Sequence, residues 1–156
     1  MGLATGGIPG ARVRGKIADA SPQIKARTGG CLPSLLVLCD IKYGCGQVSG
    51  HLDRYNIRVA MEGLDQVIVA VPRDQSESPY MTGTRSGPRK KMTETHNTSI
   101  SAIGVLSTPP GAPICLTVYH NRHAAIPVPA DALKKLNVPQ YTLQGSESGP
   151  LTWVEV

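Results

Sequence analysis

The sequence predicts an α/β (or α+β) domain: a mixed β-sheet with a parallel β-α-β unit followed by an antiparallel hairpin, and helices on its flanks. Three observations lead there. The short apolar runs "SLLVLCD" and "QVIVAVP", each bounded by turn formers, have the composition of buried strands. Between them, "LDRYNIRVAMEGLDQ" repeats its apolar residues at helical spacing. Further on, "TSISAIGVLST" and "ICLTVYHNR" flank the turn "PPGAP", the pattern of a β-hairpin.

Taken in order, residues 1–12 are Gly-rich and expected to be a flexible N-terminal segment. Val13–Thr28 reads as helix with a break or restart at Ser21-Pro22, because serine caps a helix and proline suits a first turn. Leu35–Asp40 is a strand, and "KYGCGQVSGH" is loop. In the next helix Asp53 is the expected N-cap and Gly63 the C-terminal glycine. Gln66–Pro72 is expected to be a second buried strand, parallel to the first through a right-handed crossover. Residues 73–97 are polar and without period, which predicts a long basic surface loop. Thr98–Thr108 and Ile114–Arg122 form the hairpin, "PADALKKLN" a short helix, and "PQYTLQ" an edge strand. Trp153 and Val154 are expected to dock the tail on the body, closing a single domain over residues 13–156.

The chain has 156 residues, 40% hydrophobic and 17% charged, which is globular composition with enough length for a core. It has no Phe and one Trp, so that core must rest on Val, Ile, Leu, Met and Ala. No apolar run is long enough to span a bilayer, and the first residues lack a signal peptide's apolar centre. A cytoplasmic protein without a membrane partner is expected. Cys31, Cys39, Cys45 and Cys115 fit no zinc spacing, and disulfides are not expected; Cys39 and Cys115 fall in apolar runs and read as small buried hydrophobes. G-x-S-x-G, Walker and G-x-G-x-x-G patterns are absent, so nothing supports serine hydrolase, NTPase or dinucleotide chemistry.

Three constellations are candidates for chemistry. Asp40 and Lys42 share one face if the strand continues, and a carboxylate beside an ammonium is what a metal-dependent nuclease uses. The second carboxylate for a shared Mg2+ would be Asp19, the only acid before Asp40, but it lies in a segment that reads as helix. Arg85, Arg89, Lys90 and Lys91 make a basic stretch beside glycine and proline, suited to tracking the phosphates of a nucleic acid, and the net charge of +5 permits such a partner. Tyr80 is the only aromatic near it. His96 with Asn97, and His120 with Asn121, stand at the paired ends of the hairpin strands, where they could gather round a small molecule. No resident cofactor or metal is expected outside the nuclease alternative.

The runs "KIADASPQIKARTGGCLPSLLVLCD", "YNIRVAMEGLDQVIVAVP", "RKKMTETHNTSISAIGVL" and "LTVYHNRHAAIPV" together resemble the downstream half of uncharacterised bacterial proteins with a restriction-endonuclease-like (PD-(D/E)XK) fold, over roughly residues 14–130. That resemblance implies that the catalytic acid and the acid-x-Lys pair lie on strands before the helix at 14–27. Here the residues before position 14 hold no acid. The resemblance therefore implies that the catalytic strands are missing, that "CDIK" occupies a later strand, and that Asp40-x-Lys42 is a coincidence of a strand end. The expected function is a non-catalytic binding or assembly protein, of the kind a mobile gene cassette carries, with the metal nuclease and the small-molecule binder as alternatives. A shortened sheet and an exposed hairpin also lead to the expectation of a homo-oligomer.

Overall fold

Val13 and Ile17 stand four positions apart, so a helix puts both on one side. In the computed structural model, which describes residues 8–40, 52–74, 76–108, 113–145 and 151–156, both are fully buried on helix α1 (Ala11–Thr28). The helix starts inside the segment expected to be loose, and it runs without a break through Pro22. Proline removes one helical hydrogen bond and crowds the preceding turn. Ile17 before it and Ile24 after it both pack on the core, so burial on either side holds the helix through the defect. Gly29, at φ 58°, ends α1 by donating its N–H to Lys25 O.

Strand β1 (Leu35–Asp40) is followed by helix α2 (Arg54–Glu62). Both expected caps of α2 are present. The Asp53 carboxylate accepts the Asn56 N–H at 2.7 Å, and the Gly63 N–H donates to Val59 O at 3.0 Å. Then come β2 (Asp65–Ala70), β3 (Tyr80–Ser86), β4 (Ala102–Ser107), β5 (Cys115–His120), helix α3 (Ala130–Lys134), β6 (Gln140–Gln144) and β7 (Thr152–Glu155).

A mixed five-stranded sheet has the order β1-β4-β5-β6-β7, while β2 and β3 form a separate two-stranded sheet. The α/β class is as the sequence predicts, and the hairpin is β4–β5, with Ile103 opposite Tyr119. The parallel partner differs. β1 pairs in parallel with β4, Leu36 opposite Ile103 and Leu38 opposite Val105, and not with residues 66–72. The crossover between β1 and β4 therefore contains α2 and the whole β2–β3 hairpin. A second parallel pair, β5 with β6, spans α3. Residues 73–97 are not one long loop, because β3 lies within them and pairs antiparallel with β2. The glycine and hydroxyl residues of "YMTGTRS" hide that strand from a reading by apolar period.

The sheet positions also depart from expectation. The β4–β5 hairpin is not exposed, since β1 and β6 flank it, and β6 is not an edge because β7 lies outside it. Cys39 is exposed and Cys115 only half-buried.

The core lies between one face of the large sheet and the two longer helices. Leu36, Ile103, Tyr119 and Tyr141 stand side by side across four strands, on one face by register. Val13 and Ile17 from α1 and Ile57, Ala60 and Met61 from α2 pack with them, together with Met92 and Ile100. Each fully buried aliphatic side chain of this size contributes about 1.5–3 kcal/mol. The tail docks as expected: the Trp153 ring lies 5.0 Å from that of Tyr119, and Trp153 Nε1 donates to Arg54 O at 3.0 Å. Among the described residues no helix is long and apolar enough to cross a membrane.

Candidate nucleic-acid interface

The amino end of α1 carries positive charge from two sources. Any helix leaves N–H groups of its first turn without helical acceptors and a partial positive charge at that end. Here the N-cap is Gly10, no side chain among the described residues caps the helix, and its first turn holds no acid but does hold Arg12 and Arg14. Gly10 is required by its geometry. Its φ is 69°, and a Cβ on it would stand 2.8 Å from Asn56 O, so only a hydrogen lets α1 approach α2 this closely. The Gly10 N–H donates to Asn56 Oδ1 at 2.6 Å, which holds the two helices together.

Arg14 is 8% exposed, and its Nη1 donates to Pro9 O at 2.9 Å. Among the described residues no carboxylate pairs with it. Burial first, and the charge of Arg89 second, pull its pKa below the ordinary arginine value. The segment that carries Arg89 and the start of α1 both adjoin Ala60: a Cβ on Gly10 would stand 3.0 Å from Ala60 N, and Lys91 N donates to Ala60 O. That segment is held to the end of α2 by backbone bonds: Lys91 N donates to Ala60 O at 3.1 Å and Met92 N to Met61 O at 2.9 Å, with the Met92 side chain fully buried. Arg89 is exposed and adopts φ 74°. Beside the helix end lies a cavity of about 300 Å³, lined by residues 8–12 with Tyr55 and Asn56. Tyr55 is 49% exposed, and the Arg58 guanidinium lies 5.5 Å from its ring centre while forking onto the Asp65 carboxylate at 2.9 and 2.6 Å.

The residues named from sequence fare unequally. Arg89, Lys90 and Lys91 lie on the anchored segment, whereas Arg85 stands within β3 opposite Gln66, near the base of the hairpin. Tyr80 pairs with Ala70 at the far end of that hairpin, away from the basic segment. Asp19 is exposed on α1, not on a strand, and Asp40 ends β1 opposite Ser107. Lys42 lies outside the described residues. Among the described residues no group of three or more His, Cys, Asp or Glu is placed to hold a metal ion.

The two histidines go to separate networks. His96 is exposed, with Nδ1 2.9 Å from Thr95 Oγ1. His120 Nε2 lies 2.9 Å from Gln140 Oε1, whose amide donates to Ala130 O. The asparagines do converge: Asn121 Nδ2 donates to Ile100 O at 2.8 Å and to Asn97 O at 3.5 Å, and Asn97 Nδ2 donates to Lys91 O. Their amides satisfy backbone groups and so brace the hairpin end.

Sequence reasoning missed Arg14, Tyr55 and a buried clamp. Glu62, 1% exposed at the end of α2, accepts from Arg122 Nε at 3.1 Å and Nη2 at 2.8 Å. His123 Nε2 stands 3.6 Å from Glu62 Oε1, too far for a hydrogen bond. One signal was readable. An acid at a helix C-terminus and arginines at a helix N-terminus both oppose the helix dipole, so each needs something outside its own helix. Glu62 finds Arg122. No protein-family model, no curated protein and no solved structure matches this chain.

Proposed function

We propose that this chain is a non-catalytic binding protein that holds nucleic-acid phosphates between the start of α1 and the segment Arg89–Lys91. The reading rests on Arg14, a buried cation at the start of α1 that has no carboxylate partner among the described residues and lies within reach of the charge of Arg89. A buried unpaired charge is costly, and a phosphate seated beside both arginines offsets that cost. Arg12 adds an exposed cation, and the half-open Tyr55 ring offers a face on which a base can stack. The order α1, β1, α2 is in keeping with the likeness to the downstream part of a restriction-endonuclease-like fold. Asp19, on a helix, does not suit the sharing of an ion with Asp40 that cutting would need. Work in the cytoplasm belongs to the same proposal, where the free thiols of Cys31, Cys39 and Cys115 are maintained.

Fluorescence anisotropy with a labelled single-stranded oligonucleotide tests it. Binding is expected at about 50 mM salt, to weaken steeply as salt rises, and to survive chelation of divalent ions. Arg12→Ala and Arg89→Ala should each flatten the dependence of log affinity on log salt by roughly one. Absence of binding at low salt, or slopes unchanged by both substitutions, would overturn the proposal. Magnesium-dependent nicking of plasmid that disappears in Asp40→Ala would replace it with the nuclease.

A further inference from the structure

The β2–β3 hairpin presents apolar side chains that the body leaves uncovered. Val67, Ile68, Val69, Val71, Tyr80 and Met81 are exposed by 58, 43, 50, 75, 59 and 66% respectively. A shallow groove along β2 is lined by residues 66–69. The two strands pair with each other and with no other described strand, and a two-stranded ribbon alone is marginal in water. So many large apolar residues on one projecting element mark a surface that another molecule covers.

The charges along the hairpin indicate which molecule. Its tip, between β2 and β3, holds Arg73, Asp74 and Glu77, one cation against two acids, in a chain whose net charge is +5. Ser76 N donates to Asp74 Oδ1 at 2.9 Å, and that bond holds the Asp74 carboxyl below its ordinary pKa, so the acid stays ionised. The base is basic. Arg85 stands there opposite Gln66, Arg89 follows, and Asp65 is already engaged by Arg58. Gly63 and Gly87 fix the base to the end of α2: Gly87 N donates to Leu64 O, and a Cβ on Gly63, at φ 91°, would meet Gly87 O at 2.5 Å. The hairpin therefore runs from a positive base, over an apolar middle, to a negative tip.

We propose that a second copy of this chain covers the hairpin, the two hairpins packing antiparallel about a two-fold axis with Val67 and Val69 at the centre. That arrangement is self-complementary, as an isologous interface must be. It buries the apolar middle of each copy against the other and sets each acidic tip beside the other copy's basic base. Two chains of charge +5 repel over most of their surface, and tip against base is where they attract. An anionic membrane is the poorer occupant, because Asp74 and Glu77 would lead the approach. The proposal does not depend on nucleic-acid binding.

Sedimentation equilibrium of the full chain, from low to high micromolar concentration, tests it. A dimer is expected. Val67→Thr with Val69→Thr keeps strand-forming residues and should weaken the dimer by roughly tenfold or more. Asp74→Lys with Glu77→Lys should also weaken it, and adding Arg85→Glu should restore it. Far-ultraviolet circular dichroism verifies that each variant is folded. A monomer at every concentration, or a dimer indifferent to both sets of substitutions, would overturn the proposal. So would co-sedimentation of a monomer with phosphatidylserine vesicles that is lost in the valine variant, which would make the hairpin a lipid anchor.

Discussion

The five-stranded sheet and the β2–β3 hairpin place similar residues in opposite surroundings. On β4, Ile103 and Val105 are 0 and 6% exposed; on β2, Val67 and Val69 are 58 and 50% exposed. β4 has a strand on either side and lies in the core cluster with α1 and α2, whereas β2 has one partner among the described strands. A run of valine and isoleucine is thus a demand for cover and does not say what supplies it. In the large sheet the chain's own helices meet the demand. In the hairpin nothing described in the same chain does.

Substitutions can break that contrast, and the largest effect should come from the clamp beside the sheet. Arg122→Ala leaves the Glu62 carboxylate buried without its partner and should cost about 3–5 kcal/mol in urea unfolding. Next, Ile103→Ala opens a cavity under the sheet and should cost about 2–5 kcal/mol. Val67→Ala on the hairpin is the matching control, and unfolding of the dilute monomer should change by no more than about 0.5 kcal/mol. A hairpin valine as costly as Ile103 would show that the ribbon is packed after all. Asp53→Ala removes the N-cap of α2 and should cost about 1 kcal/mol.

The smallest effect is one of pH. Burial, opposed by the nearby Arg54, raises the Tyr119 phenol above its ordinary value of 10.0. The neutral ring is the form the fold favours, so the unfolded chain ionises first. This stabilisation is complete below pH 10.0 and is lost as the pH climbs through the higher folded value. Comparing unfolding of the parent and Tyr119→Phe across that range isolates the effect, and identical alkaline profiles would refute it.

Much of the candidate interface was legible only in pieces. Arg89, Lys90 and Lys91 stood out as a basic stretch, because charge density needs no fold to be seen. Arg14 did not, since nothing within a few residues of it announces burial or the approach of Arg89. The His96 and His120 grouping rested on hairpin ends being close. The hairpin is there, but the His96 ring turns to the adjacent Thr95 and the His120 ring to Gln140 on β6, so each finds its own hydrogen-bond partner.

By itself the sequence determined the local elements: both longer helices, the Asp53 and Gly63 caps of α2 and the β4–β5 hairpin. These follow from periodicity, capping and turn chemistry that act within a few residues. Only the tertiary structure decided that β1 pairs with β4, that α1 continues past Pro22, that the valines of β2 face outward, and that Glu62 meets Arg122 across 60 positions. A strand's alternation states which residues want burial but not which strand will lie beside it. That choice belongs to whichever long-range arrangement buries the most apolar surface while leaving the fewest charges unpaired.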